Sequence, residues 1–302
     1  MSILVKIKQL PWLRRIVHRS SFRHVHRGME KIYCRYVRWL SHRGNYKLDK
    51  APEEVYMCVV ITAFNAPHLI EKQLQCLQHH VKDESCHILV GDNSTQASAR
   101  GAIAVMCEKY HAEYVAVPRW MNRWLLNTLF LPSYSHGAAL NWLWHKVLIN
   151  RPYAAYTFID HDLMPLHSIH LSDMLGNYPF HGVQRERDEA WYLWPGLALF
   201  KAETLKNINA DFLPAFVGKT YLDTGGELYH RLYKHNNSEK PTPPEIRTVR
   251  IRKVKDGNRR RDVYHADCIQ YIGDHWIHLI NVTNYAHTED KTAMVEQILA
   301  CL

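Results

Sequence analysis

Beyond residue 55, unbroken apolar runs alternate with amphipathic ones. Tyr56 to Ala63 (YMCVVITA) is continuous in the way a strand buried on both faces must be. Pro67 to His80 (PHLIEKQLQCLQHH) instead sets Leu69, Ile70, Leu74 and Leu77 at helical spacing, with proline at the start, where its missing N–H is harmless. His87 to Gly91 (HILVG) predicts a second strand ending at Asp92-Asn93-Ser94. Residues 97–110 predict a second helix, and Glu113 to Val117 a third, short strand. The β-α-β-α-β order predicts an α/β fold: a mixed, mostly parallel sheet flanked by helices, with its ligand beyond the carboxyl ends of the strands. Asn236 to Pro244 and Lys253 to Arg261 read as exposed loops.

The first 48 residues follow another pattern. Leu10, Trp12, Leu13, Ile16 and Val17, then Met29, Ile32, Tyr33, Tyr36 and Leu40, suit amphipathic helices interrupted near Pro11. With the Ala51-Pro52 break, this divides the chain into an N-terminal extension, 1–51, and one domain, 52–302.

Charge sharpens that division. The formal net charge is +9, but residues 1–50 hold 13 Lys or Arg against Glu30 and Asp49, a local +11, which leaves the remainder near −2. One cationic segment facing an anionic surface fits this asymmetry better than a chain basic throughout, and a basic amphipathic helix suits anionic lipid. The plainer alternative is a solvated helix packed on the domain. No window holds the roughly 18 to 20 apolar residues of a membrane helix. The seven scattered cysteines lack the spacing of a zinc site or the density of a disulfide scaffold. The expectation is a cytoplasmic protein that keeps its N-terminus and lies peripherally on the cytoplasmic face of a membrane.

Ala155 to Asp162 (AYTFIDHD) is an apolar strand that stops in Asp-His-Asp. Strand alternation would aim Asp160 and Asp162 to one side, and two hard carboxylates there suit Mg²⁺ or Mn²⁺. Capping a strand end is the other use of such aspartates.

Four segments in order, VVITAFNAPHLIEKQLQCL (59–77), ILVGDNST (88–95), SHGAALNWLW (135–144) and FIDHD (158–162), resemble the family 2 glycosyltransferases and their GT-A relatives. Their pattern is a strand ending in T-x-Y-N, a strand ending in D-N-x-S, a G-x-x-x-A-x-N helix and a DxD. Phe64 departs from the usual tyrosine, and the helix motif is compressed around Gly137, Ala139 and Asn141.

The resemblance implies a GT-A fold and an inverting, metal-dependent hexosyl transfer from a nucleotide-diphosphate sugar, a UDP-sugar favoured, to a glycan or lipid-linked glycan in surface polysaccharide synthesis. It implies donor contacts from Thr62, Phe64, Asp92 and Asp160, with Asp92 accepting a hydrogen bond from the base. Asp162 would ligate the metal directly, Asp160 directly or through water, and His278 as a third ligand, with His275 and His287 as alternatives. The general base would be Asp223, in an Asp-Thr-Gly-Gly turn, with Glu227 second and Asp188 and Glu189 in reserve. Trp191, Tyr192 and Trp194 would meet the acceptor, since aromatic rings stack on sugar faces. Helix capping competes for Asp223 and core packing for the histidines and tryptophans. Two other functions compete. Arg247 to Arg261 (RTVRIRKVKDGNRRR) suits a nucleic-acid binder, although no specific nucleic acid is expected, and a nucleotide-sugar-binding scaffold without activity would share every motif.

Overall fold

The computed structural model describes residues 20–42, 55–119, 132–236, 240–250, 268–280 and 289–302. Leu10 to Val17, Lys253 to Arg261 and His287 lie outside them.

The central sheet has six strands: β1 (Met57–Ala63), β2 (Cys86–Asp92), β3 (Glu113–Ala116), β4 (Ala155–Asp160), β6 (Phe180–Arg187) and β7 (Ala190–Lys201). Their order is β3-β2-β1-β4-β7-β6. β1 to β4 pair in parallel, and β7 runs antiparallel to both β4 and β6. This is the mixed, mostly parallel sheet the sequence predicts. Every residue of β1 is buried because helices cover both faces. Helices α2 (Pro67–His80) and α3 (Ala97–Lys109) pack on one side, with Ile70, Leu74, Leu77 and Ile103 fully inside. On the other side lies α4 (Pro132–Leu143).

A second, antiparallel sheet changes the expected end of the Asp-His-Asp strand. β4 stops at Asp160, the chain turns, and Leu163–Pro165 forms β5 at the edge of a sheet ordered β10 (Ile246–Arg250), β11 (Cys268–Ile272), β12 (Trp276–His278), β5. Asp160 ends one sheet and Asp162 precedes the other, so their relation is set by a turn between sheets and not by strand alternation.

Helix α1 (Ser20–His42) has two apolar faces. Tyr33, Cys34 and Val37 lie at spacings of one, three and four residues in the same core cluster as Trp142, Phe158 and Phe212. Val37 is 1% exposed, a burial worth about 2 kcal/mol. Ile32, Tyr36 and Trp39 form the other stripe and are 68%, 50% and 48% exposed.

Arg38 ties α1 down by pairing with Asp211 at 2.5 Å and with Glu227, which opens α7 (Glu227–Arg231), at 2.9 Å. Asp211 is buried and also receives the Asn141 amide at 2.8 Å, while Asn141 Oδ1 accepts the Phe212 N–H. Two residues of the G-x-x-x-A-x-N-like helix motif thus fasten α4 to the 211–213 segment. A Cβ on Gly137 would fall 2.6 Å from the Phe212 carbonyl oxygen, so only glycine permits this approach.

Candidate functional site

The carboxyl ends of β1, β2 and β4 are laced together by short polar loops. Asn65, in the left-handed region at φ 51°, accepts the N–H groups of Thr95 and Gln96, and its own N–H donates to Ser94 Oγ. Thr62 lies opposite Asp160 in the β1–β4 ladder, and its buried hydroxyl has no hydrogen-bond partner among the described residues. Phe64, just past the strand, is partly exposed. Thr62 and Phe64 therefore stand at the strand ends, where a ligand of an α/β sheet belongs.

Asp92 is fully buried at the end of β2, where Oδ1 accepts the Ser94 N–H at 2.8 Å and Oδ2 the Tyr114 hydroxyl at 2.9 Å, so both oxygens already help to build the turn.

The Asp160-His161-Asp162 turn is held from below by Gln73 on α2, whose amide donates to the carbonyls of Asp160 at 2.7 Å and Leu163 at 2.6 Å. Pairing of β12 with β5 sets His278 opposite Leu163, and the Leu279 N–H donates to the Asp162 carbonyl. His278 Nε2 comes to 3.4 Å from Asp162 Oδ1, both side chains being more than nine-tenths buried. His275, in contrast, sits in the β11–β12 turn at the far end of β12.

The other nitrogen of His278 is fixed by a relay across three strands. Gln270, opposite His278 on β11, faces Nδ1 with Oε1 at 3.1 Å, while its amide nitrogen donates to Thr248 on β10 at 3.3 Å. With the Gln270 amide so oriented, Nδ1 carries the ring proton and a neutral His278 turns a lone pair toward Asp162. Two acceptors then face each other in a buried place, an arrangement satisfied by a proton or a metal cation between them.

Burial pushes the Asp160 carboxyl up, and the Asp162 charge adds to this against the pull of His136, whose Nε2 stands 3.4 Å from Oδ1. Burial also acts to raise Asp162, but a proton on His278 Nε2 outweighs it by charge and hydrogen bond and holds that carboxyl well below the usual range; a cation between the two groups would take that proton's place. The two carboxylates interact electrostatically without forming a finished cage. Among the described residues, no three His, Cys, Asp or Glu side chains converge as a complete ligand set. Such a half-built oxygen and imidazole set fits a Mn²⁺ or Mg²⁺ ion that takes its remaining ligands from phosphate and water, the imidazole favouring Mn²⁺.

Asp223 follows β9 (Thr220–Leu222), is exposed, and accepts the Thr224 N–H at Oδ1, while its own N–H donates to the Tyr192 hydroxyl. Arg185, opposite Tyr192 in the β6–β7 ladder, feels the charges of both Asp223 and Asp160. The other expected bases are otherwise engaged. Glu227 is paired with Arg38, and Asp188 accepts the Thr220 hydroxyl from the tip of the β6–β7 hairpin. Glu189 completes that tip beside a cavity lined also by Glu186, Asp188, Ala190, Trp191 and Lys240, which includes none of Asp160, Asp162 and His278.

The tryptophans separate. Trp191 is buried against Phe180 and Tyr233, with one edge on the hairpin cavity. Trp194 is partly exposed, with its ring 4.8 Å from that of His278 and the Arg185 guanidinium 5.1 Å above it.

No family model matches this sequence, nor does any curated protein. Among solved structures, it is similar to a mannosyltransferase from Pyrobaculum calidifontis in complex with GDP-Man and Mn²⁺, at TM-score 0.37 and 16% identity over 62% of this chain and 56% of that one. It is also similar to TarS of S. aureus, at TM-score 0.35 and 14% identity over 52% and 30% of the two chains. A third is the galactosyltransferase LgtC in complex with donor and acceptor sugar analogs, at TM-score 0.37 and 11% identity over 62% and 67%. The chain thus spans about half of the first of these and less than a third of the second. The likenesses are low, and the fold described above rests on its own strand order.

Sequence reasoning missed His136, Gln73, Gln270 and Arg185. His136 carried a signal, since it directly precedes the glycine of the helix motif. Gln73 depends on contacts with elements remote in the chain, whereas Arg185 and Gln270 meet their partners across hairpins whose register local pattern did not reveal.

Proposed function

We propose that this chain is an inverting, metal-dependent glycosyltransferase that moves a hexose from a nucleotide-diphosphate sugar, a UDP-sugar before others, to a glycan or lipid-linked glycan. The observation that carries this reading is the buried approach of His278 to Asp162 at the turn beyond the carboxyl end of β4, two residues past Asp160.

Asp162 and His278 would hold the cation, with Asp160 beside them, and Thr62 and Phe64 would border the nucleoside. When bound, the cation would neutralise charge on the departing diphosphate. Asp223 would take the proton from the acceptor hydroxyl as that oxygen bonds to the anomeric carbon and the carbon–oxygen bond to the diphosphate breaks. Attack opposite the leaving group inverts the anomeric configuration. Trp194 would offer its face to the acceptor sugar.

The exposed Ile32, Tyr36 and Trp39 stripe, beside exposed Lys31 and Arg35, supports a second part of the reading. We place α1 on an anionic cytoplasmic membrane surface, with its opposite face built into the core, so that the site stays near a membrane-attached acceptor in surface polysaccharide synthesis.

The test pairs two variants. Asp162→Ala should lose cation-dependent donor binding, whereas Asp223→Asn should keep it and lose transfer by about a hundredfold or more. Full transfer by either variant removes that residue from its role.

A further inference from the structure

We infer that Arg185 and Trp194 form a receptor for an oxyanion on the acceptor, so that the substrate glycosylated here carries a carboxylate or phosphate close to the hydroxyl that reacts. The inference rests on the transferase reading and adds to it the chemical class of the acceptor.

Arg185 is partly buried, near the end of β6, and its guanidinium carbon lies over the Trp194 indole, 5.1 Å from the ring centre. Its planar fork of donors has no hydrogen-bond acceptor and no ion-pair partner among the described residues. Every other described arginine that is comparably enclosed is paired: Arg38 with Asp211 and Glu227, Arg151 with Glu113, Arg231 with Asp211 and the Asn209 carbonyl, and Arg100 with the carbonyls of Ser94 and Val117. Burial works against the Arg185 charge, and the carboxylates that support it, Asp223 and Asp160, do so without direct contact. A cation kept in this condition, over an aromatic face, is prepared for an oxyanion that arrives with a ligand and takes two parallel hydrogen bonds.

Sheet order separates the two substrates. Thr62 and Phe64 are on the β1 side of β4, and β7 and β6 are on the other side, with Asp223 held over β7 by Tyr192. Arg185 thus stands with the candidate base, away from the nucleoside side. Trp194 is two residues beyond Tyr192, the ladder partner of Arg185, so stack, cation and base share one neighbourhood. Arg185 would also offset the repulsion that Asp160 and Asp223 exert on the acceptor's acid group.

The experiment measures binding of three probes to the full chain by calorimetry: a uronic-acid-containing oligosaccharide, its carboxyl-reduced neutral counterpart, and an oligomeric glycerol phosphate. The first and third distinguish carboxylate from phosphate, and either suffices. At least one charged probe should bind about tenfold or more tightly than the neutral one. Arg185→Gln should erase that difference, and Arg185→Lys should restore only part of it. In the same Arg185→Gln protein, affinity for UDP in the presence of Mn²⁺ should be unchanged. Equal binding of charged and neutral probes by the wild type, or loss of UDP affinity in place of probe affinity, overturns the inference. If the wild type binds no sugar nucleotide, the transferase reading fails, and the charged-against-neutral comparison still decides the Arg185 site.

Discussion

His278 Nε2 stands 3.4 Å from Asp162 Oδ1, and the opposite nitrogen of that ring is committed to Gln270. The amide therefore chooses which nitrogen faces the carboxylate. Gln270→Ala frees the ring to rotate or change tautomer and should weaken Mn²⁺ affinity about tenfold, as loss of an outer-shell partner does elsewhere. Mn²⁺ titration followed by electron paramagnetic resonance checks this, with Thr248→Ala giving a smaller effect in the same direction. Unchanged affinity in Gln270→Ala would show that the relay does not position the ring.

Acid sensitivity should come from buried carboxylates held ionised. Asp211 is lowered because Arg38, Asn141 and the Leu213 N–H together outweigh its burial, and Glu113 because His87 and Arg151 outweigh its burial. A depressed carboxylate contributes stability that is complete above its unfolded pKa, about 4. That contribution is lost as pH falls through the lower, folded value. Chemical denaturation should therefore give flat stability from about pH 5 to 7 with respect to these groups and a decline below about pH 4. Asp211→Ala should cost about 3 kcal/mol at neutral pH by leaving the buried Asn141 amide without its acceptor and Arg38 with Glu227 alone, and should flatten the acid limb. An acid limb as steep as that of the wild type would exclude Asp211 as its source.

Much of the fold was legible because β1 and α2 satisfy several local rules at once. The run from Met57 to Ala63 is apolar throughout, and Pro67 and the 69-70-74-77 spacing agree on one helix. Local pattern failed where tertiary contacts decide. Asp160 and Asp162 read as one strand end, yet β5 belongs to another sheet that forms only when β12 arrives from far along the chain. The Tyr114 hydroxyl that Asp92 accepts at its second oxygen comes from β3, a contact that the strand-end motif does not reveal. Residues 20–42 read as an extension, while Tyr33 and Val37 lie in the main core, because a helix with two apolar faces gives the same periodicity whichever face is buried.

Gly196 sets the position of Trp194. A Cβ there would fall 2.0 Å from the indole, so Gly196→Val should drive the ring away from His278 and Arg185. The expected result is altered tryptophan fluorescence and at least about a fivefold rise in acceptor KM, with donor KM little changed, since one aromatic contact is worth about 1 kcal/mol. An unchanged acceptor KM would remove Trp194 from the acceptor face.

Membrane contact can be tested without damaging the core. Removing the whole N-terminal segment would take away Tyr33 and Val37, so the informative variant is Ile32→Ser, Tyr36→Ser, Trp39→Ser on the exposed stripe. Binding to vesicles rich in phosphatidylserine should fall about tenfold or more, with thermal stability nearly constant. Equal vesicle binding would assign α1 a purely structural role.

The most direct measurement is a thermal-shift series of UDP-, GDP- and dTDP-sugars with and without Mn²⁺, on the wild type and on Asp162→Ala. At saturation, binding energy of about 2.7 kcal/mol should raise the wild-type melting temperature by about 5 °C with at least one of these donors, and only when Mn²⁺ is present. Asp162→Ala should show no such rise. A wild type indifferent to every donor in Mn²⁺, or an Asp162→Ala protein that keeps the full shift, would mean that the turn between the two sheets is not a cation-dependent donor site.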